Sequence, residues 1–130
     1  MEKILYYTPE DKDDSILFTM FLMGIGISLV KIDRRDLNQQ AGYLAGLSGF
    51  SAQPQLPEAL LPDISDKFMI LCGFSDERLD ELLAFLRSNQ LPRVPLKAVL
   101  TQTNSRWTAA ALYREIKAEH EYMAAQRKDK

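Results

Sequence analysis

The stretch FMILCGFSDERLDELLAFL, residues 68–86, reads as a strand, a turn and a capped helix in immediate succession. Residues 68–72 are apolar throughout, as in a strand buried on both faces. Gly73-Phe74 breaks the run. Ser75 then stands at an N-cap position, and Leu79, Leu82, Leu83 and Leu86 recur at spacings of three and four, which places them on one helical face. Pro92 and Pro95 end the helical region, and Leu96 to Thr101 reads as the next strand. A strand, a crossover helix and a strand make a parallel unit, right-handed in nearly all cases. A last helix follows, its expected core stripe Ala109, Leu112, Ile116 and Met123. The junction LTQTNSRWTAA, residues 100–110, supplies the strand end, a polar loop in which Thr103 or Asn104 caps, and a first helical turn holding Ser105, Arg106 and Trp107.

The same order recurs toward the N-terminus. KILYY, residues 3–7, is a short strand closed by Thr8-Pro9, and the acids of EDKDD suit the positive end of a helix that runs from about Asp14 to Met23. Gly24-Ile25-Gly26 hands over to a strand at 27–32, and Asp36 caps a helix with Leu37, Ala41 and Leu44 on one face. Residues 16–30, ILFTMFLMGIGISLV, contain no charge. As one helix they would span about 22 Å, short of the ~30 Å hydrocarbon core of a bilayer, so they are read as a buried helix passing into a buried strand. Between the halves, Gly49, Pro54, Pro57 and Pro62 deny residues 48–66 regular structure except for a short turn at 58–61.

The expected fold is therefore α/β: two βαβα units forming one four-stranded sheet with packed helices. It is a single domain over residues 1–130, with a first unit at 1–47, the Pro-rich connection at 48–66 and a second unit at 67–126. Period alone leaves two joinings open, a parallel four-stranded sheet and a ferredoxin-like α+β arrangement with a C-terminal helix. The long connection, carrying its own helix, favours the parallel sheet.

Composition narrows the function. With 46% apolar and 26% charged residues and a net charge of −2, the chain is ordinary for a globular protein. Its dense cationic stretches, Arg34-Arg35 and the tail at 127–130, are not interleaved with aromatics, so neither nucleic acid nor membrane is expected as a partner. One cysteine, Cys72, permits no internal disulfide and no multi-cysteine metal site, which fits a reducing, cytoplasmic setting. Helical metal pairs need ligands three or four residues apart, and around His120 those places hold Ile116, Lys117, Met123 and Ala124. In EDKDD the calcium-loop spacing fails because Ile16 occupies the place of the turn glycine. No metal or other cofactor is expected.

Strands three and four, being parallel, should gather Cys72-Gly73 and Thr101–Asn104 at one carboxyl rim, where open α/β sheets bind ligands. The last helix lacks acids in its expected first turn and would point free N–H groups at an anion there. The candidate ligand-binding set is thus Cys72, Gly73, Thr101, Thr103, Asn104, Arg106 and Trp107. No catalytic set assembles by spacing: Cys72 has acids at 76 and 77 beside it, and His120 lies about 22 Å along the helix from that rim.

Residues 69–123 resemble a small bacterial family, domain of unknown function 3783, through the CGF strand end, VPLKAVLT, the TN-x-x-WT segment and the closing L-x-x-E-x-x-x-EH. The matching positions are Cys72, Gly73, Phe74, Lys97, Thr101, Asn104, Trp107 and Thr108. The resemblance implies the fold and brings no activity, substrate or catalytic residue. The reading is a non-enzymatic module that binds a small anionic ligand or a protein partner and self-associates as a homo-oligomer. The alternative is a thiol-dependent enzyme or redox protein using Cys72.

Overall fold

The computed structural model describes residues 2–88 and 94–128. Its elements are β1 (Lys3–Tyr7), α1 (Ser15–Met23), β2 (Ser28–Ile32), α2 (Ala41–Leu44), β3 (Phe68–Cys72), α3 (Asp76–Ser88), β4 (Lys97–Val99) and α4 (Ala109–Lys128). Short 3-10 turns precede α1, α2 and α4 and interrupt the long connection at Glu58–Leu60. The four strands form one sheet in the order β2-β1-β3-β4. This is the expected α/β architecture, with both βαβα units contributing a pair of strands.

The joining of the halves differs from the favoured parallel sheet. β1 pairs in parallel with β2 and β3 in parallel with β4, but β1 and β3 run antiparallel. Leu5 lies opposite Ile70, with Lys3 opposite Cys72 and Tyr7 opposite Phe68. The sheet is mixed. It is not ferredoxin-like either, because in that split arrangement a further strand separates the two strands of each unit, whereas β1 and β2 are direct neighbours here.

The path of the connection explains the reversal. From β2 the chain descends through α2 until Ala45 O accepts a hydrogen bond from Lys3 Nζ, at the opposite end of β1 (2.6 Å). It then climbs back, and Gln53 N–H and C=O pair with the side-chain amide of buried Gln39 (2.7 and 3.0 Å) while Asn38 Nδ2 donates to Pro54 O. One helix down and one extended segment up make an even number of crossings, so β3 starts at the rim where β2 ended.

Strand alternation divides the core into two layers. Ile4 and Tyr6 of β1 and Met69 and Leu71 of β3 face α1 and α3, where they meet Phe18, Leu22 and Leu82. Leu5, Tyr7, Phe68, Ile70 and Cys72 face α2 and α4, where they meet Ala41, Ala45, Leu112 and Ile116. Tyr6 meets Phe18 edge to face at 5.0 Å, and Phe68 packs between Tyr7 (5.3 Å) and Tyr113 (5.2 Å).

A local two-fold relation links the halves. On the sheet it passes through the Leu5–Ile70 pair, and on the α2/α4 side it passes through an isolated antiparallel bridge between Gln40 and Thr108. There Ala41 N–H donates to Trp107 O while Ala109 N–H donates to Gln39 O, both at 2.9 Å. The starts of α2 and α4 therefore satisfy each other.

Several local expectations are corrected. Asp36 is not the cap of a helix: Asp33 is the N-cap of the Arg34–Asp36 turn, with Asp36 as its capping-box partner, and α2 starts only at Ala41. Ser105, Arg106 and Trp107 precede α4, whose start is capped by Thr108 Oγ1 accepting from Ala111 N–H (3.1 Å). Met123 is exposed, because α4 at ~30 Å outruns strands of at most ~17 Å and only its first half has sheet beneath it. Residues 16–23 are not a buried helix; only Ser15, Phe18 and Leu22 of α1 are buried. Ser75 does cap α3, accepting from Arg78 N–H at 3.2 Å, whereas Pro92 lies outside the described residues.

Gln39→Ala should leave the N–H and C=O of Gln53 unpaired in a partly buried site and cost roughly 1–3 kcal/mol in urea unfolding. Asp66, just before β3, accepts from Tyr113 Oη (2.5 Å) and Lys117 Nζ (2.8 Å) of α4. Lys117 first, and then Tyr113, hold its carboxyl below the usual range. A carboxyl whose folded value is lowered contributes stability above its unfolded value, near 3.9, and loses it as pH falls through the folded value. The deficit of Asp66→Asn against the natural chain should therefore be full at pH 7 and shrink below about pH 4, as followed by urea unfolding across pH.

Candidate functional site

Because the inner strands are antiparallel, the two parallel pairs end on opposite rims, and each rim must be considered as a site. At the rim of β3 and β4 the expected set does come together in sequence order: Cys72 ends β3, Gly73 turns with φ of 80°, and Thr101 to Trp107 follow β4. Cys72 is turned inward, and the side chains of Asn104 and Thr101 are engaged within the loop itself. Asn104 Oδ1 accepts from Thr101 N–H (2.7 Å), its Nδ2 donates to Val99 O (3.0 Å), and its own N–H donates to Thr101 Oγ1 (3.1 Å). Ser105, buried, donates its hydroxyl hydrogen to Gln102 O at 2.8 Å. The run of polar residues thus builds its own loop.

The anion cradle expected at the start of the last helix is filled by the chain itself. Ala109 N–H donates to Gln39 O, Ala110 N–H to Leu37 O and Ala111 N–H to Thr108 Oγ1. The orphan donors that give a helix start its affinity for anions are spent on α2 and the cap. Trp107 and Arg106 serve the same junction through their carbonyls, which accept from Ala41 N–H and Gln40 Nε2. The side chains of Thr103, Arg106 and Trp107 remain exposed.

Cys72 is buried in the layer beneath α2 and α4, 4% exposed. Burial, opposed only by the nearby Lys3, pushes its thiol up to about 12. His120 is exposed on α4, about 16 Å beyond the first residue of that helix.

The opposite rim holds a cleft of about 720 Å³ that the sequence reading passed over. β1 exits to α1 on one face of the sheet and β2 exits to α2 on the other, so the chain diverges and leaves a crevice outside the carboxyl ends. Thr8 to Asp11 and Asp13 line one side, Lys31 and Asp33 to Arg35 the other, and Glu58, Leu61, Asp63 and Ile64 of the returning connection close it. A second groove of about 460 Å³ shares Asp33, Arg35, Glu58 and Leu61 with it.

Some of these charges are structural. Asp13 is held below the usual carboxylate range first by Lys31 (2.5 Å) and then by the Ser15 hydroxyl and N–H. Arg34 donates to Pro62 O (3.1 Å) and Leu61 O (3.2 Å), tying the connection across the rim, and lies 3.7 Å from Glu58. Others are uncommitted: among the described residues no hydrogen bond or ion pair holds the side chains of Glu10, Asp11, Asp63 or Arg35. Thr8 also lines the cleft, and its buried hydroxyl has no partner among the described residues. Such an orphan costs about 1–3 kcal/mol if nothing else satisfies it. With Asp13 and Glu58 facing Lys31 and Arg34, the remaining balance is acidic. Among the described residues no three Asp, Glu, His or Cys groups converge closely enough to hold a metal ion.

The sequence cue to this cleft lies in the repeated strand order, which sets Thr8-Pro9 and Asp33-Arg34-Arg35 after the two strands of the first unit; the contribution of residues 58–64 depends on the return of the connection. Alkylation of native Cys72 at neutral pH should be on the order of a thousandfold slower than that of an open thiol with an ordinary value of 9.0, rising to the normal rate in denaturant. A rate within tenfold of a free thiol would contradict the burial.

No helix among the described residues is long and apolar enough to cross a membrane. No curated protein and no solved structure matches the chain. Residues 67–123, the second βαβα unit up to the exposed part of α4, match the model of the family described as Domain of unknown function (DUF3783), the family that the strand-end and loop motifs of that unit resemble.

Proposed function

We propose that this chain is a non-enzymatic binding module whose ligand site is the crevice at the carboxyl ends of β1 and β2. The observation that carries this reading is the cleft itself: uncommitted Glu10, Asp11 and Asp63 around a buried Thr8 hydroxyl that has no partner among the described residues. The excess of carboxylates selects a ligand that presents a cation, either a small amine or the basic side chain of a protein partner. Arg35 is the exception and would meet an acceptor on the same ligand. The anionic ligand expected at the other rim has weaker support, since the N–H groups that would bind it are already paired. Burial of Cys72 and its separation from an exposed His120 favour the module over a thiol enzyme. A lone cysteine fits a reducing, cytoplasmic setting.

Thermal shift against spermidine, arginine-containing peptides, phosphate and nucleotides tests the reading. A cationic probe at ~100 times its dissociation constant should add about 2.7 kcal/mol, and Asp63→Asn should abolish most of that gain. Stabilisation by phosphate alone, lost in Arg106→Ala, would move the site to the rim of β3 and β4.

A further inference from the structure

α1 carries a second feature, independent of the cleft. Of its nine residues only Ser15, Phe18 and Leu22 are buried. Ile16 is 80% exposed, Met20 65% and Met23 71%, and at spacings of four and three they form one stripe. Leu17 (55%) and Phe21 (40%) flank it. Together these side chains expose about as much as three complete large residues, on the order of 600 Å². That is at the upper end of the largest apolar patch on a typical monomer. The exposed Gly24, Gly26 and Ser28 adjoin the stripe and add no charge, and residues 15–30 contain none. The total approaches the ~800 Å² per partner that a stable interface buries.

We infer that this face is covered by the same face of a second copy of the chain, with the two α1 helices packed antiparallel about Met20. An isologous contact requires a surface that does not repel itself. A stripe with no charge meets that requirement. Antiparallel packing also sets the acids before each α1 against the uncharged Gly24-Ile25-Gly26 turn of the other copy. The nearest of those acids are already neutralised, Asp13 by Lys31 (2.5 Å) and Asp14 by Lys67 (2.9 Å) and the Tyr6 hydroxyl (2.8 Å). A lipid surface is the poorer occupant. Helices that lie on membranes carry Lys and Arg along their polar face, and α1 instead follows Glu10, Asp11, Asp13 and Asp14 with only Lys12 among them.

Sedimentation velocity of the full chain should show a dimer at tens of micromolar that dissociates on dilution. Met20→Lys should be monomeric over the same range with an unchanged circular dichroism spectrum. Met20→Cys should form a disulfide-linked dimer under mild oxidation, since the two-fold brings residue 20 of each copy together while Cys72 stays buried; this variant decides the matter if Met20→Lys does not fold. A natural chain that stays monomeric at several hundred micromolar overturns the inference. So does a Met20→Lys dimer as strong as the original, or a monomer that floats with phosphatidylcholine vesicles.

Discussion

The antiparallel pairing of β1 with β3, centred on Leu5 and Ile70, is the constraint on which the other features depend. Both strands are buried on both faces, so their side chains must alternate between two cores at once, and a one-residue slip would exchange the contents of both layers. Tyr6 would leave Phe18, and Phe68 would leave Tyr7 and Tyr113. Once that register is set, each inner strand can add only its own parallel partner outside. The two helices leaving the inner strands then share one face, and the two leaving the outer strands share the other.

The same constraint puts the carboxyl ends of the two parallel pairs on opposite rims, and the rims are not equivalent in content. Behind β4 the loop is closed by reciprocal bonds between Thr101 and Asn104, and the first N–H groups of α4 are paired with the backbone before α2. Behind β2 the long connection passes over the rim, held by Arg34, and leaves a cleft lined by carboxylates with few internal partners. The asymmetry arises from chain length. A short loop can satisfy its polar groups within itself, whereas an excursion of more than twenty residues needs anchors and leaves space between them.

The uncharged helix α1 is the point at which fold and association meet. A helix apolar on all sides is ordinarily enclosed. In this chain one side of α1 meets Tyr6 and the layer shared with α3, and nothing among the described residues covers the other. The acids next to α1 are drawn into ion pairs with Lys31 and Lys67, so the boundary of the apolar face is electrically quiet as well.

Local chemistry was legible in the sequence wherever one segment contained both partners. The apolar run at 68–72, the Ser75 cap and the leucines of α3 needed no other part of the chain, and the stretch that matches the family lies within one unit. Element order and class followed from that. The direction in which the halves join did not, because it depends on whether the connection crosses the sheet once or returns, and the Gln39–Gln53 pairing that marks the return links residues with no sequence pattern in common. The start of α4 was misplaced for a similar reason: Asn104 is spent closing the loop, and the N–H groups of Ala109 and Ala110 find acceptors at Gln39 and Leu37, far away in the chain. Likewise, an apolar run shows that a segment seeks burial but not which of its faces the fold can reach. Hydrogen-bond capacity and hydrophobicity are written residue by residue; which partner satisfies them is decided only when distant segments share the same space.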